Sequence, residues 1–194
     1  MTDPATESGR FLTEAVNALG QEDRRYRVSL LDETDLETLH NLIIAAAHRA
    51  DLGVVESDQK ARLKEVVSLS LTAYVRIANT VTQPAAHTYP TSIPDLAEHI
   101  RVLMAAKGSK YRHEPVVFLP VRYMTAQIVV KAFRARERID PEETLDELQD
   151  IIVYAVKTAI RLTRPDQAKY PGGSIEVIDP NLIGDPTQIP GRMT

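Results

Sequence analysis

The sequence predicts an all-α protein: a helical bundle of about five helices, with an N-terminal helical hairpin and an extended Pro/Gly-rich C-terminal arm. Three observations carry that expectation. Apolar side chains recur at three- and four-residue spacing over several long segments, those segments begin at capping residues and stop at Gly or Pro, and no alternating pattern of comparable strength competes with them. Only "VVF" and "SIEVI" have the composition of short strands.

The elements follow in order. A first helix is expected near Thr6 to Leu19, stopped by Gly20. Thr34 lies three residues before Glu37 in a capping-box arrangement, and Leu36, Leu39, Ile43 and Ala47 repeat at helical spacing, which predicts a helix from about Asp35 to Ala50. After the turn "DLGVV", Ser57 or Asp58 can cap a second helix that carries Leu63, Val66, Val67, Tyr74 and Ile77 and runs to about Thr80. These two should form an antiparallel hairpin. The stretch "TQPAAHTYPTSIP" reads as a linker, so the chain divides into an N-terminal helical region (1–82), a linker (83–93), a second helical region (94–164) and an arm (165–194). Ser92 with Asp95 makes a second capping box, giving a helix from Pro94 to Lys107 that Gly108 ends. An extended loop, "SKYRHEPVVFLP", then leads into helices Val121 to Arg138 and Pro141 to Leu162. The apolar positions of "LKEVVSLSLTAYVRIA" lie over those of "LDELQDIIVYAVKTAI", a match that two unrelated amphipathic helices also give readily.

Composition excludes several function classes. With 194 residues, 43% of them hydrophobic, the chain can bury a core, and with no cysteine it offers no disulfide, thiolate metal site or cysteine nucleophile. Runs such as "LIIAAA" and "IIVYAV" fall far short of the roughly 20 apolar residues of a membrane span, and "MTDPATESGR" has no signal-peptide pattern, so a cytoplasmic protein without a membrane partner is expected. A net charge of −4 gives no global reason for nucleic-acid binding, and nucleic acid is not expected as a partner. Charge is nevertheless sharply distributed: nine Lys/Arg against two Glu between Arg101 and Arg138, then six acids and no base between Asp140 and Asp150.

Those charges form stripes. At 100° per residue, Glu143, Asp146, Glu147, Asp150, Tyr154, Lys157 and Arg161 share an arc of about 100° on the last helix, whose other faces are apolar. On the preceding helix Gln127, Lys131, Arg134 and Arg138 fall at i, i+4, i+7 and i+11, and the short turn between the helices predicts antiparallel neighbours. Part of the acidic row is ordinary helix chemistry, because Asp140 can be the N-cap, Pro141 occupies the first turn and early acids favour the helix dipole. Glu147 and Asp150 lie past that turn. Their repulsion can be relieved by salt bridges to Lys and Arg of the neighbouring helix, or by magnesium, which takes a few carboxylates and keeps waters for a phosphate. Spacing leaves both readings open.

Lys107 and Tyr111 in "KGSKYRHEP", Lys131 and Arg134 in "VVKAFRAR", and Glu147, Asp150 and Tyr154 in "DELQDIIVYAV" give residues 94–162 a pattern that resembles the MazG-like all-α nucleoside-triphosphate pyrophosphohydrolases. The likeness is closer to their phage-borne, nucleotide-modification-associated relatives. It implies a nucleotide or nucleoside triphosphate as ligand and Mg as cofactor, with hydrolysis to a monophosphate and pyrophosphate. By resemblance, Glu147 and Asp150 would be metal ligands, with Glu143 and Asp146 beside them in the metal set. Lys131, Arg134, Lys107 and Lys110 would hold phosphates, and Tyr111 and Tyr154 would contact the nucleotide. The chain departs from the group on one point: its Val121 to Arg138 helix offers only Glu137 where active members carry E-E-x-x-E. Acids such as Glu56, Asp58 or Glu65 could substitute.

A different class is a non-catalytic helical assembly or virion component. In that reading residues 165–194, with apolar Ile175, Val177, Ile178, Leu182 and Ile189 among prolines and glycines, clasp a neighbour or a second copy of the chain. Other motifs are weaker. His40 and His48 are eight apart, too far for one ion on a straight helix; His113 reads as a loop residue; "YPGGS" lacks the spacing and following helix of a phosphate loop.

Overall fold

The computed structural model describes residues 4–20, 34–53, 55–81, 89–110 and 120–163, with the side chains of 4–6, 19, 20 and 107–110 left out. It is all-helical. Six helices occur among the described residues, and no strand: α1 (Pro4–Gly20), α2 (Leu36–Asp51), α3 (Glu56–Ala78), α4 (Ile93–Lys110), α5 (Val121–Glu137) and α6 (Pro141–Thr163). The short strands expected at 116–118 and 174–178, most of the linker and the arm lie outside the described residues.

Capping chemistry sets most of the boundaries, with three departures from expectation. The N-cap of α2 is Asp35 rather than Thr34: its Oδ1 accepts from the Thr38 amide at 2.8 Å and its Oδ2 from the Thr38 hydroxyl at 2.7 Å. A carboxylate bonded twice by one residue outcompetes the Thr34 box, and those bonds hold the Asp35 pKa below its usual value. Neither Ser57 nor Asp58 caps α3, which starts one residue earlier behind Val55 with no side-chain cap. Gly108 does not end α4, which continues two residues further to Lys110; glycine inside a helix costs only about 1 kcal/mol. The Ser92 box forms as read, its hydroxyl accepting from the Asp95 amide and donating to Oδ2 at 2.5 Å. Asp140 likewise accepts from the Glu142 amide at 2.9 Å and caps α6.

The hairpins α2–α3 and α5–α6 pack against one another, α3 and α5 both lying along α6, while α1 and α4 close one flank. Leu39 and Ile43 of α2, Leu63, Leu69 and Leu71 of α3, and Leu145, Leu148 and Ile151 of α6 are fully buried at the shared interface. Each such side chain contributes roughly 1.5–3 kcal/mol of burial, which is what fixes α6 between its two neighbours. Phe11, Leu12 and Ala15 seat α1, and a buried Ser68 hydroxyl donates to the Ala15 carbonyl at 3.0 Å. No described helix is long and apolar enough to cross a membrane.

Candidate functional site

The two charged stripes meet. Lys131 and Arg138 flank the buried α5 face of Met124, Ile128, Ala132 and Ala135, and the antiparallel arrangement sets that edge in register with the opening turns of α6. Lys131 Nζ lies 2.6 Å from Asp150 Oδ2 and 3.2 Å from Glu147 Oε2, and seven residues on Arg138 reaches Glu143 Oε2 at 2.9 Å and Glu147 Oε1 at 3.8 Å. The Lys131 and Glu147 side chains are 14% and 11% exposed, so their pair is shielded, whereas Asp150 and Arg138 remain open to solvent. Burial by itself would lower the Lys131 pKa. The hydrogen bonds and charges of Asp150 and Glu147 outweigh that and hold it above its ordinary value. The ammonium also stands 5.9 Å from the Tyr154 ring centroid, a cation–π distance.

The seam is under-neutralised. Five carboxylates line the first three turns of α6, and Lys131 and Arg138 are the cations that pair with them among the described residues. Asp146 is exposed and has no ion pair among the described residues. Partial burial against the helices, and then the charges of Asp150, Glu142, Glu147 and Glu143, push its pKa up. Arg134, between Lys131 and Arg138 in the cation stripe, is exposed and likewise pairs with no carboxylate among the described residues.

The structure therefore brings together Lys131, Glu143, Glu147, Asp150 and Tyr154; Arg134 lies one turn along α5 from Lys131, and Asp146 lies on the side of the acidic row nearer Tyr74 of α3. Arg161, expected on the polar strip, is buried, so that strip turns inward toward the helix end. Lys107 and Lys110 lie in the last turn of α4 with their side chains outside the described residues, and Tyr111 and His113 are outside them altogether. Of the acids that could substitute for E-E-x-x-E, Glu65 is taken by Arg49 at 2.6 Å and Arg62 at 3.0 Å, and Glu56 pairs with Lys60. His48 packs edge-on against Phe133 at 5.9 Å; His40 is buried with its Nε2 unbonded.

Glu147 and Asp150 aim oxygens at one point, now filled by an ammonium, and that donor pair fits a magnesium ion that keeps several waters. No group of three or more His, Cys, Asp or Glu among the described residues converges as a closed metal cage.

Two features escaped the sequence reading. One is the Arg49–Glu65–Arg62 group around a buried Glu65, whose signal was a lone acid in the apolar run "LKEVVSL". The other is a cleft of about 130 Å³ between α1, α3 and the end of α6, lined by Arg10, Phe11, Glu14, Lys60, Lys64 and Ile160 among others. It lies some 20 Å along α6 from Glu147, at 1.5 Å per residue, and is separate from the charged seam.

Compared with family models, with curated proteins and with solved structures, the chain matches none.

Proposed function

We propose that this chain binds a nucleotide through its polyphosphate at the α5–α6 seam, and that a nucleoside triphosphate is hydrolysed there to a monophosphate and pyrophosphate. The observation that carries the reading is the exposed Arg134, without an ion pair among the described residues and one helical turn from Lys131, whose ammonium sits where Glu147 and Asp150 converge, since a phosphate and a cation could then be held side by side. Arg134 receives phosphate oxygens. Glu147 and Asp150, with Glu143 and Asp146 at the rim, supply carboxylate oxygens to magnesium, which would neutralise phosphate charge and polarise the bond to be broken. Lys131 is then freed from its two carboxylates to face the phosphates, and the Tyr154 ring beside it flanks the nucleotide.

Isothermal titration with a panel of nucleotides, with and without magnesium, tests binding, and pyrophosphate release by wild type and Asp150→Asn tests turnover. Absence of nucleotide binding under both conditions removes the proposal. Binding without release reduces it to a nucleotide-binding protein, consistent with the absent E-E-x-x-E.

A specific observation favours a second reading. Lys131 and Arg138 close the inner carboxylates into ion pairs, as a purely structural seam requires. A non-catalytic assembly or virion component, clasping a neighbour through residues 165–194, would show a change of mass in light scattering when those residues are deleted and no nucleotide response.

A further inference from the structure

The outer face of α5 is apolar where a surface helix is ordinarily polar. α5 packs against α2 and α6 and buries Met124, Ile128, Ala132 and Ala135. Tyr123, Ala126, Val130 and Phe133 recur at i, i+3, i+7 and i+10 on the side turned away from those residues. Tyr123 is 49% and Val130 41% exposed, and Ala126 and Phe133 are half-buried. Arginines edge this stripe toward α2. Arg136 stands 5.2 Å from the Phe133 ring centroid and donates to Asn41 of α2 at 3.3 Å. Its carboxylate contact among the described residues is its own exposed neighbour Glu137 at 3.7 Å, a kind of pair that contributes little. Arg122, on the same edge by helical spacing, is exposed and makes no ion pair among the described residues.

A segment suited to cover such a face carries apolar side chains and carboxylates and no base. Residues 174–186, "SIEVIDPNLIGDP", have that composition: Ile175, Val177, Ile178, Leu182 and Ile183 stand among Glu176, Asp179 and Asp185, with no Lys or Arg. Neither 21–33, with three arginines, nor 111–119, where one arginine faces one glutamate, matches it. The segment is also tethered at the right place. Lys131 lies against Asp150 and Arg138 against Glu143, so α5 and α6 run antiparallel in a register that sets Thr158 level with Tyr123. α6 ends at Thr163, about 7 Å beyond Tyr123 along the helix axis. Residues 164–173 can extend over about 33 Å, enough to bring residue 174 alongside Val130.

We propose that residues 174–186 dock on the outer face of α5 of their own chain, with apolar side chains over Tyr123 and Val130 and carboxylates toward Arg122 and Arg136.

The occupant is the chain's own arm rather than a second copy's because a short tether holds it at an effective concentration on the order of millimolar. The docking is independent of nucleotide binding at the seam, and Arg134, which borders the face toward α6, is not needed for it. It competes with the assembly reading, in which the arm leaves its bundle for a neighbour.

The chain has no cysteine, so a pair introduced into the full-length protein is its only source of a disulfide. Mild oxidation with oxidised glutathione, read by mass spectrometry and non-reducing electrophoresis, compares Val130→Cys with Ile178→Cys against Arg10→Cys with Ile178→Cys. Arg10 is exposed and lines the cleft that Thr163 also lines, so it lies nearer the start of the tether and reports random collisions of the arm. An intrachain disulfide is expected in the Val130 pair, at least fivefold more abundant than in the Arg10 pair. The yield should fall at least threefold when the arm's acids are reversed, Glu176→Arg with Asp179→Arg, a change that leaves the bundle untouched. Arg122→Glu with Arg136→Glu should lower it similarly, and combining both reversals should restore it. Equal yields in the two cysteine pairs, or yields unmoved by the arm reversal, overturn the proposal. Disulfides formed between chains rather than within one overturn it in favour of the assembly reading.

Discussion

The two 23-residue helices at the centre of the bundle, α3 and α6, each bring a carboxylate out of bulk water, and they treat it in opposite ways. Glu65 of α3 has a side chain 6% exposed and is held by two guanidinium groups, Arg49 at 2.6 Å and Arg62 at 3.0 Å. The α6 row has more carboxylates than paired cations among the described residues, and Asp146 has a raised pKa with no ion partner. A carboxylate given more positive charge than it carries serves the fold, because removing it strands its partners. A row given less is costly to the fold by itself, and a ligand can make up the difference.

The largest effect should come from breaking the overcompensated site. Removing one member of a fully buried ion pair costs about 3–5 kcal/mol. Arg49 and Arg62 are 43% and 39% exposed and can rehydrate, so Glu65→Ala is expected to cost roughly 2 kcal/mol. For a chain of this length that is a fall of about 4–8 °C in Tm. Thermal or urea denaturation checks it, and a Tm within a degree of wild type would remove Glu65 from the structural role.

Next in size is Lys131→Met. Glu147 is left buried with only the distant guanidinium of Arg138, at 3.8 Å, and a loss of roughly 1–2 kcal/mol at neutral pH follows. Because the folded-state pKa of Lys131 is raised, its stabilisation is fully present below the unfolded value, about 10.4, and is lost as pH rises through the folded one. Urea titrations of wild type and variant should therefore converge at strongly alkaline pH. A gap that persists there would mean the methylene packing of Lys131, rather than its charge, does the stabilising.

His40 supplies a third, smaller contrast at the α2–α5 interface. Its ring is 9% exposed with Nε2 unbonded; burial first, and then the charge of Arg136 on α5, lower its pKa. The other cations near α2 and α3 are engaged elsewhere, Arg49 with Glu65 and Arg76 with the Thr34 carbonyl. The unfolded chain thus binds the proton more readily, and stability contributed by neutral His40 is present above about 6.5 and falls as pH drops through the folded value. His40→Leu should flatten that acid limb by on the order of 1 kcal/mol, the cost of a buried donor without an acceptor. An unchanged slope of ΔG against pH in this range would place the acid sensitivity elsewhere.

What could be read in advance, and what could not, follows the same division. Helical periodicity found the six helices of the described residues, because burial of Leu39, Leu63, Leu148 and their neighbours is a one-dimensional pattern that a wheel captures. The convergence of Lys131 with Glu147 and Asp150 was foreseeable as two stripes on short-linked helices, although spacing alone could not decide whether ions or side chains would join them. Cap identity failed at Asp35 because several oxygen-bearing residues stood within one turn, and only three-dimensional competition for the Thr38 amide selects among them. Tyr74 and Glu65 were both named from the sequence, but their partners were not legible there, for a different reason. They are polar members of apolar faces, and their meaning depends on α2 and α6, which lie far away in the sequence.

The smallest predicted effect sharpens the comparison most. Asp146 holds its proton more tightly in the folded chain, so its ionisation works against folding above the unfolded value of 3.8 and has no effect well below it. Asp146→Asn should stabilise the protein at pH 7 by a few tenths of a kcal/mol, the scale of like-charge neighbours on a helix, and the gain should vanish as pH falls below about 4. The sign is opposite to that of Glu65→Ala, although both substitutions remove a carboxylate from a central helix. Destabilisation by Asp146→Asn at pH 7 would mean that the row is neutralised as fully as Glu65, and the contrast between α3 and α6 would disappear.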